Sequence, residues 1–179
     1  NWLANPNETP SQVFLFFDDM ETWSGWTQYG SGTVSQDSTR KYEGNYSAHK
    51  TSNNDPNGAY KPIGANLSRD IVLEFWVNRN SNYAGGSYDR IGLINDSGGG
   101  YGWLYTHGSD AIGIDKRTSY SPTVLATSSA SDYMDTWVRA KFYILGNGSI
   151  ISERWVNGLL SGRVETIDTT YNLFSNVYI

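Results

Sequence analysis

The chain has 179 residues, 38% of them hydrophobic and 15% aromatic, enough apolar surface for one good core and a length that suits a single domain. A formal net charge of -5 with no basic run excludes the clustered Lys and Arg that a nucleic-acid backbone requires. The absence of cysteine removes disulfides, zinc thiolate sites and thiol catalysis together, and no apolar stretch approaches the roughly 18 residues of a membrane span.

The opening Asn1-Trp2-Leu3 lacks an initiator Met and the last residues, Asn176 to Ile179, read as a strand, so the chain is expected to be a module of a longer protein. Residues 1–10 read as a linker and residues 11–179 as the module. Low charge, abundant Asn, Ser, Thr, Gly and Tyr, and no cysteine suit an extracellular or cell-surface location.

Apolar residues recur at every second position along the chain and never hold a helical spacing, which predicts an all-β protein. Val13 to Phe17 is a buried run ended by Asp18-Asp19. Trp23 and Trp26, flanked by glycine and serine, are expected to cap one end of the fold. Ser47 to Thr51 forms a strand after the turn at Gly44. Ile71, Leu73, Phe75 and Val77 make a core face, with Glu74 and Trp76 on the reverse. Ile91 and Leu93 give another strand, closed by the turn Asn95 to Gly100. This glycine-rich turn opens no helix and is no phosphate cradle.

Tyr101, Trp103, Tyr105 and His107 then alternate with Gly102, Leu104 and Thr106, so three rings and an imidazole share one side of one strand. Ile112 and Ile114 begin the next strand. Val138, Ala140, Phe142 and Ile144 form a core face opposite Trp137, Arg139, Lys141 and Tyr143. Asn147-Gly148 predicts a tight type I′ hairpin that pairs residues 137–145 with 150–156, and Asn157-Gly158 repeats the device. Strands at this density argue for two packed antiparallel sheets.

The second faces carry the functional expectation. Glu74 with Trp76, the alternating set Tyr101, Trp103, Tyr105 and His107, and Arg139 with Lys141 and Tyr143 would form a floor of rings edged by charge if their strands shared a sheet, joined by Arg90 and by Glu153 with Trp155. Rings stack on the apolar faces of sugars while carboxylate and guanidinium groups bond hydroxyls, so the mixture suits a polysaccharide or glycan. Arg90, Arg139 and Lys141 lean it toward an acidic sugar. Trp103 is the foremost candidate for ligand contact, expected to face an open trough; Trp137 and Trp155 are assigned to packing.

Turnover has fewer supports. A glycoside hydrolase needs paired carboxylates flanking the bond, and no Glu-x-Asp-x-Glu pattern occurs. A polysaccharide lyase could draw on His107, Tyr105 and Arg139 for proton abstraction, and a purely structural surface or adhesion module is the further alternative. Asp18 and Asp19, with Glu43 in the turn Lys41 to Ser47, could converge as hard oxygen ligands for a structural calcium ion.

At these same residues the chain resembles a known group of modules. Phe16-Phe-Asp-Asp-Met-Glu-Thr-Trp23, Ser24-Gly-Trp26 and Tyr42-Glu-Gly-Asn-Tyr-Ser47 resemble the opening of concanavalin-A-like (laminin-G-like) sandwiches and of jelly-roll carbohydrate-binding modules. Gly100-Tyr-Gly-Trp103, Ile112-Gly-Ile114, Asp135-Thr-Trp137 and Trp155-Val-Asn-Gly158 are similar to the latter half of the same sandwich. Asn1 to Pro6 is similar to the end of a domain that often precedes such modules in large prokaryotic and archaeal surface proteins. The resemblance implies a jelly-roll β-sandwich, noncatalytic carbohydrate binding on its concave sheet, and calcium near Asp18, Asp19 and Glu43.

Overall fold

In a computed structural model of the chain, described over residues 16–31, 33–51, 57–79, 88–106, 109–131 and 134–179, every regular element is a strand. In chain order they are β1 (Thr27–Tyr29), β2 (Val34–Asp37), β3 (Ser47–Lys50), β4 (Gly58–Ser68), β5 (Ile71–Asn78), β6 (Tyr88–Ile94), β7 (Gly100–Thr106), β8 (Ala111–Thr118), β9 (Ser121–Ser129), β10 (Trp137–Ile144), β11 (Ser149–Val156), β12 (Leu159–Ile167) and β13 (Leu173–Tyr178). They form a seven-stranded sheet in the order β1-β4-β13-β6-β7-β8-β9, a four-stranded sheet β12-β11-β10-β5, and the hairpin β2-β3. All these pairings are antiparallel, and the protein is an all-β sandwich. The run Val13 to Leu15 and the linker assigned to residues 1–10 lie outside the described residues; Phe16 packs on the core and Phe17 is exposed.

Alternation on each strand decides which sheet face is dry. In the four-stranded sheet Val138, Ala140, Phe142 and Ile144 point inward with Ile150 and Val156, as their period of two predicts. In the seven-stranded sheet the inward row is Tyr101, Trp103 and Tyr105 on β7, flanked by Ile91 and Leu93 on β6 and by Ile112 and Ile114 on β8. Trp103 is 1% exposed and meets Phe75 of the opposite sheet edge-on, ring centroids 5.5 Å apart at 85°.

The expectation that these rings face an open trough is therefore corrected. The register gives the reason: Trp103 pairs with Ile91 on one side and Ile114 on the other, so its face is apolar across three strands. The charges of those neighbours, Arg90, Asp115 and Arg117, sit on the other side, where β7 offers Gly102 and Leu104. Gly102 is required there, because a Cβ would collide with the Tyr178 hydroxyl.

The hairpins refine a second expectation. At Asn157-Gly158 both residues have positive φ, 50° and 80°, as a type I′ turn demands. Between β10 and β11 only Gly148 does, at 94°, while Gly148 N–H donates to Leu145 O and Leu145 N–H to Ser149 O. That is a three-residue loop closed by a glycine bulge, not the predicted type I′ turn. The strand pairing it was expected to produce is nevertheless present. Trp26 is buried in the core and stacks on Trp23, centroids 5.4 Å apart.

Candidate functional site

The outer face of the four-stranded sheet gathers five of the sequence-predicted residues. On β10, Arg139, Lys141 and Tyr143 point away from the core, and their neighbours in register on β5 are Trp76, Glu74 and Val72. On β11 the partners are Trp155, Glu153 and Ile151, and β12 adds Leu160, Arg163 and Glu165. Because every outward position lies opposite another outward position, the face is ruled into rows that cross the strands. One row reads Leu160, Trp155, Arg139, Trp76. The next reads Arg163, Glu153, Lys141, Glu74. The third reads Glu165, Ile151, Tyr143, Val72.

The charged row is closely bonded. Arg139 donates from Nε and Nη2 to the two oxygens of Glu74, each at 2.8 Å, and Lys141 Nζ lies 3.5 Å from the same carboxylate. Glu153 accepts the Tyr143 hydroxyl and the Trp155 indole N–H on one oxygen, both at 3.1 Å, and its other oxygen lies 3.5 Å from Arg163 Nε. Arg163 also donates to Glu165 at 2.9 Å. Burial works to raise the Glu74 pKa, but the Arg139 bonds and charge outweigh it and hold the carboxyl below its usual range. The Tyr143 phenol is raised, by burial first and then by the Glu153 charge.

A ring from a loop covers one end of the aromatic row. Tyr42, from the segment between β3 and β2, stacks on Trp76 with centroids 3.9 Å apart and planes 14° from parallel, and meets Trp137 edge-on at 5.9 Å. Arg40 of the same segment donates to Asn78 at 3.3 Å and forms an ion pair with Asp135. Trp76 is 39% exposed and Tyr42 44%. Trp137 and Trp155, assigned from the sequence to packing, lie on this outer face in phase with Arg139 and Glu153, and Trp137 packs edge-on against Tyr42. Tyr42 was missed entirely. It sits in an aperiodic segment, and only its place in the run Lys41 to Ser47 marked it.

The remaining predicted residues lie elsewhere. Tyr101, Trp103 and Tyr105 are sealed between the sheets, and His107 lies outside the described residues. Arg90 is buried on the far side of the seven-stranded sheet, where its Nε is 2.9 Å from Asp115 and its guanidinium stacks over Tyr88 at 4.3 Å. The lyase grouping is not assembled, because Tyr105 is inside and Arg139 is on the outer surface of the other sheet. Tyr101 serves a structural role: its hydroxyl donates to Asp168 at 2.5 Å and accepts the Tyr171 N–H at 3.0 Å, while Lys116 pairs with Asp168 at 2.9 Å.

The proposed calcium ligands do not form a shared cradle. Asp18 is tied up by the chain itself: Oδ1 accepts Met20 N–H at 2.8 Å, and Oδ2 accepts the Trp26 indole at 3.0 Å and Lys61 Nζ at 2.7 Å. Asp19 accepts Glu21 N–H at 3.0 Å. Glu21, rather than Glu43, grips the nearby turn, accepting Asn45 N–H at 2.6 Å and Tyr46 N–H at 3.2 Å. Among the described residues no three acidic or histidine side chains gather as a metal would require, and a divalent ion at Asp18 would have to displace an ammonium group. The residues present do not fit the ion.

No protein-family model matches the chain. It is 40% identical over 171 residues to an uncharacterized protein of Methanocaldococcus jannaschii, an alignment that covers 92% of this chain and 17% of that protein. The chain thus spans a small part of the length of the relative it matches. Among solved structures it is similar to the carbohydrate-binding module CBM66 from Bacillus subtilis, with a TM-score of 0.61, 14% sequence identity and 87% of each chain covered. That likeness, over nearly the whole chain, establishes the shared β-sandwich architecture.

Proposed function

We propose that this sandwich is a noncatalytic carbohydrate-binding module of a larger extracellular or cell-surface protein, and that it holds a polysaccharide or glycan on the outer face of its four-stranded sheet. The observation that carries the reading is the row Trp155, Arg139, Trp76, with Tyr42 stacked on Trp76 and the charged row alongside. Exposed and half-buried rings supply stacking surface, and Arg139, Glu74, Lys141, Glu153 and Tyr143 supply donors and acceptors at its margin. The architecture it shares with a carbohydrate-binding module supports the same reading, as does a matched relative several times longer, which accords with a module.

Binding is favoured over turnover by the state of the carboxylates. Glu74 and Glu153 flank Lys141 from either side, two strand spacings or about 10 Å apart along the row. Glu74 is held ionised by Arg139, the opposite of the raised pKa a general acid needs. Affinity gel electrophoresis and calorimetry against a glycan panel, with Trp76→Ala and Trp155→Ala as controls, test the proposal. Retention of a glycan that both substitutions weaken supports it; new reducing ends or unsaturated uronate absorbance during incubation would replace it with an enzyme.

A further inference from the structure

We infer that the glycan is neutral and lies across the strands, with one sugar over Trp155 and the next but one over the Trp76–Tyr42 pair. This deepens the binding reading of the same face and rests on it.

Two independent features lead there. The first is charge. Among the described residues of the three rows, the cations Arg139, Lys141 and Arg163 stand among the anions Glu74, Glu153 and Glu165, and these charges sum to zero. Each is in an ion pair: Arg139 and Lys141 with Glu74 at 2.8 and 3.5 Å, Arg163 with Glu153 and Glu165 at 3.5 and 2.9 Å. An acidic sugar would have to pull Arg139 from two short parallel bonds and leave Glu74 facing the incoming anion. The lean toward an acidic sugar, drawn from the cations alone, is thereby reversed. A neutral sugar meets no such conflict, since paired guanidinium and carboxylate groups still offer donors and lone pairs to hydroxyls.

The second feature is direction. Along β5 and β11 the outward position next to the ring, toward the charged row, is about 7 Å away, so a chain following either strand would meet an aromatic ring once, and on β10 the two outward rings, Trp137 and Tyr143, are held apart by Arg139 and Lys141. Across the strands, Trp155 and Trp76 are separated by β10 alone, about 10 Å, with Arg139 between them. That step is comparable to two sugars of an extended glycan. Tyr42 covers one face of Trp76, so this end of the platform is a stacked pair, and Leu160, 46% exposed, lengthens the other end beyond Trp155.

The test is calorimetry on the intact chain with neutral polymers (β-glucan, xylan, mannan) and uronate polymers (polygalacturonate, alginate), each at low and at tenfold higher salt. The expected result is binding to a neutral polymer that salt leaves unchanged, that strengthens from mono- to tetrasaccharide, and that falls about tenfold in Trp76→Ala and in Trp155→Ala. Circular dichroism confirms that the variants fold. Preference for a uronate polymer, weakened by salt, overturns this inference and leaves the carbohydrate reading standing. Equal affinity for mono- and tetrasaccharide overturns the crosswise placement. No binding to any polymer, or neutral binding that neither substitution touches, defeats the reading on which it rests.

Discussion

Arg139 and Glu74 are diagonal neighbours on adjacent strands, joined by two parallel bonds of 2.8 Å, Nε to Oε1 and Nη2 to Oε2. The geometry neutralises the centre of the outer face. Glu74→Gln is expected to leave Arg139 with uncompensated charge, so that polygalacturonate binding emerges and weakens with added salt, while stability changes by less than about 1 kcal/mol. Calorimetry at two salt concentrations checks it.

The same pair sets an acid limit on binding. Since the folded Glu74 pKa is lowered, the pair is intact above the ordinary carboxylate range and is lost only as pH falls through the lowered value. Glycan affinity is expected to stay flat as pH falls from about 8 into the ordinary carboxylate range and to decline only below that range. A midpoint near 6 would show that some other group governs the face.

Trp103 and Trp76 are expected to respond oppositely to truncation. Trp103→Ala opens a cavity between the sheets and should cost about 3–5 kcal/mol in urea unfolding. Trp76→Ala removes an exposed ring stacked on Tyr42 and should cost about 1 kcal/mol, while abolishing most binding. The reverse ranking would turn the sandwich inside out.

Tyr101 and Asp168 tie one end of the sandwich and should mark both ends of the pH–stability curve. Burial and the Asp168 carboxylate push the Tyr101 phenol up to about 12, so its contribution is complete below the usual phenol range and disappears as pH rises through that value. For Asp168, burial acts to raise the pKa, but bonds from Tyr101, Thr170 and Lys116 carry it far below the usual range. Its contribution is present above that range and fades only in strong acid. Asp168→Asn should cost about 2 kcal/mol at neutral pH, a gap that narrows toward pH 2; thermal melts across pH report it.

Lys61 supplies the positive charge beside Asp18. Chelator and added calcium should both leave the melting temperature of the described fold unchanged, whereas Lys61→Met should lower stability by about 2 kcal/mol. A calcium-dependent rise in melting temperature would sink this assignment.

Much of the four-stranded sheet was legible because its signals are local. The alternation in Ile71 to Val77 and in Val138 to Ile144 assigns core and outer faces correctly, and the hairpin after Leu145 sets Glu153 and Trp155 beside Lys141 and Arg139. The strand β7 misled because its own alternation says only that three rings share a face, and the choice of face belongs to its partners. Carried through the Asn95 to Gly100 turn, the alternation of Ile91 and Leu93 would have set Ile91 opposite Trp103 and pointed inward. Tyr42 had no comparable signal: its stacking on Trp76 joins positions 34 residues apart through an irregular segment, and no periodicity reaches that far.

The rings and charges of the outer face hang mostly from hydrogen-bonded strands, while Tyr42 is contributed by a loop. A ligand therefore finds the surface already shaped, and association is spared most of the entropy of ordering a recognition loop. Tyr42 is where adaptability resides. Substituting it should alter the breadth of glycans accepted more than the rate at which any one of them leaves.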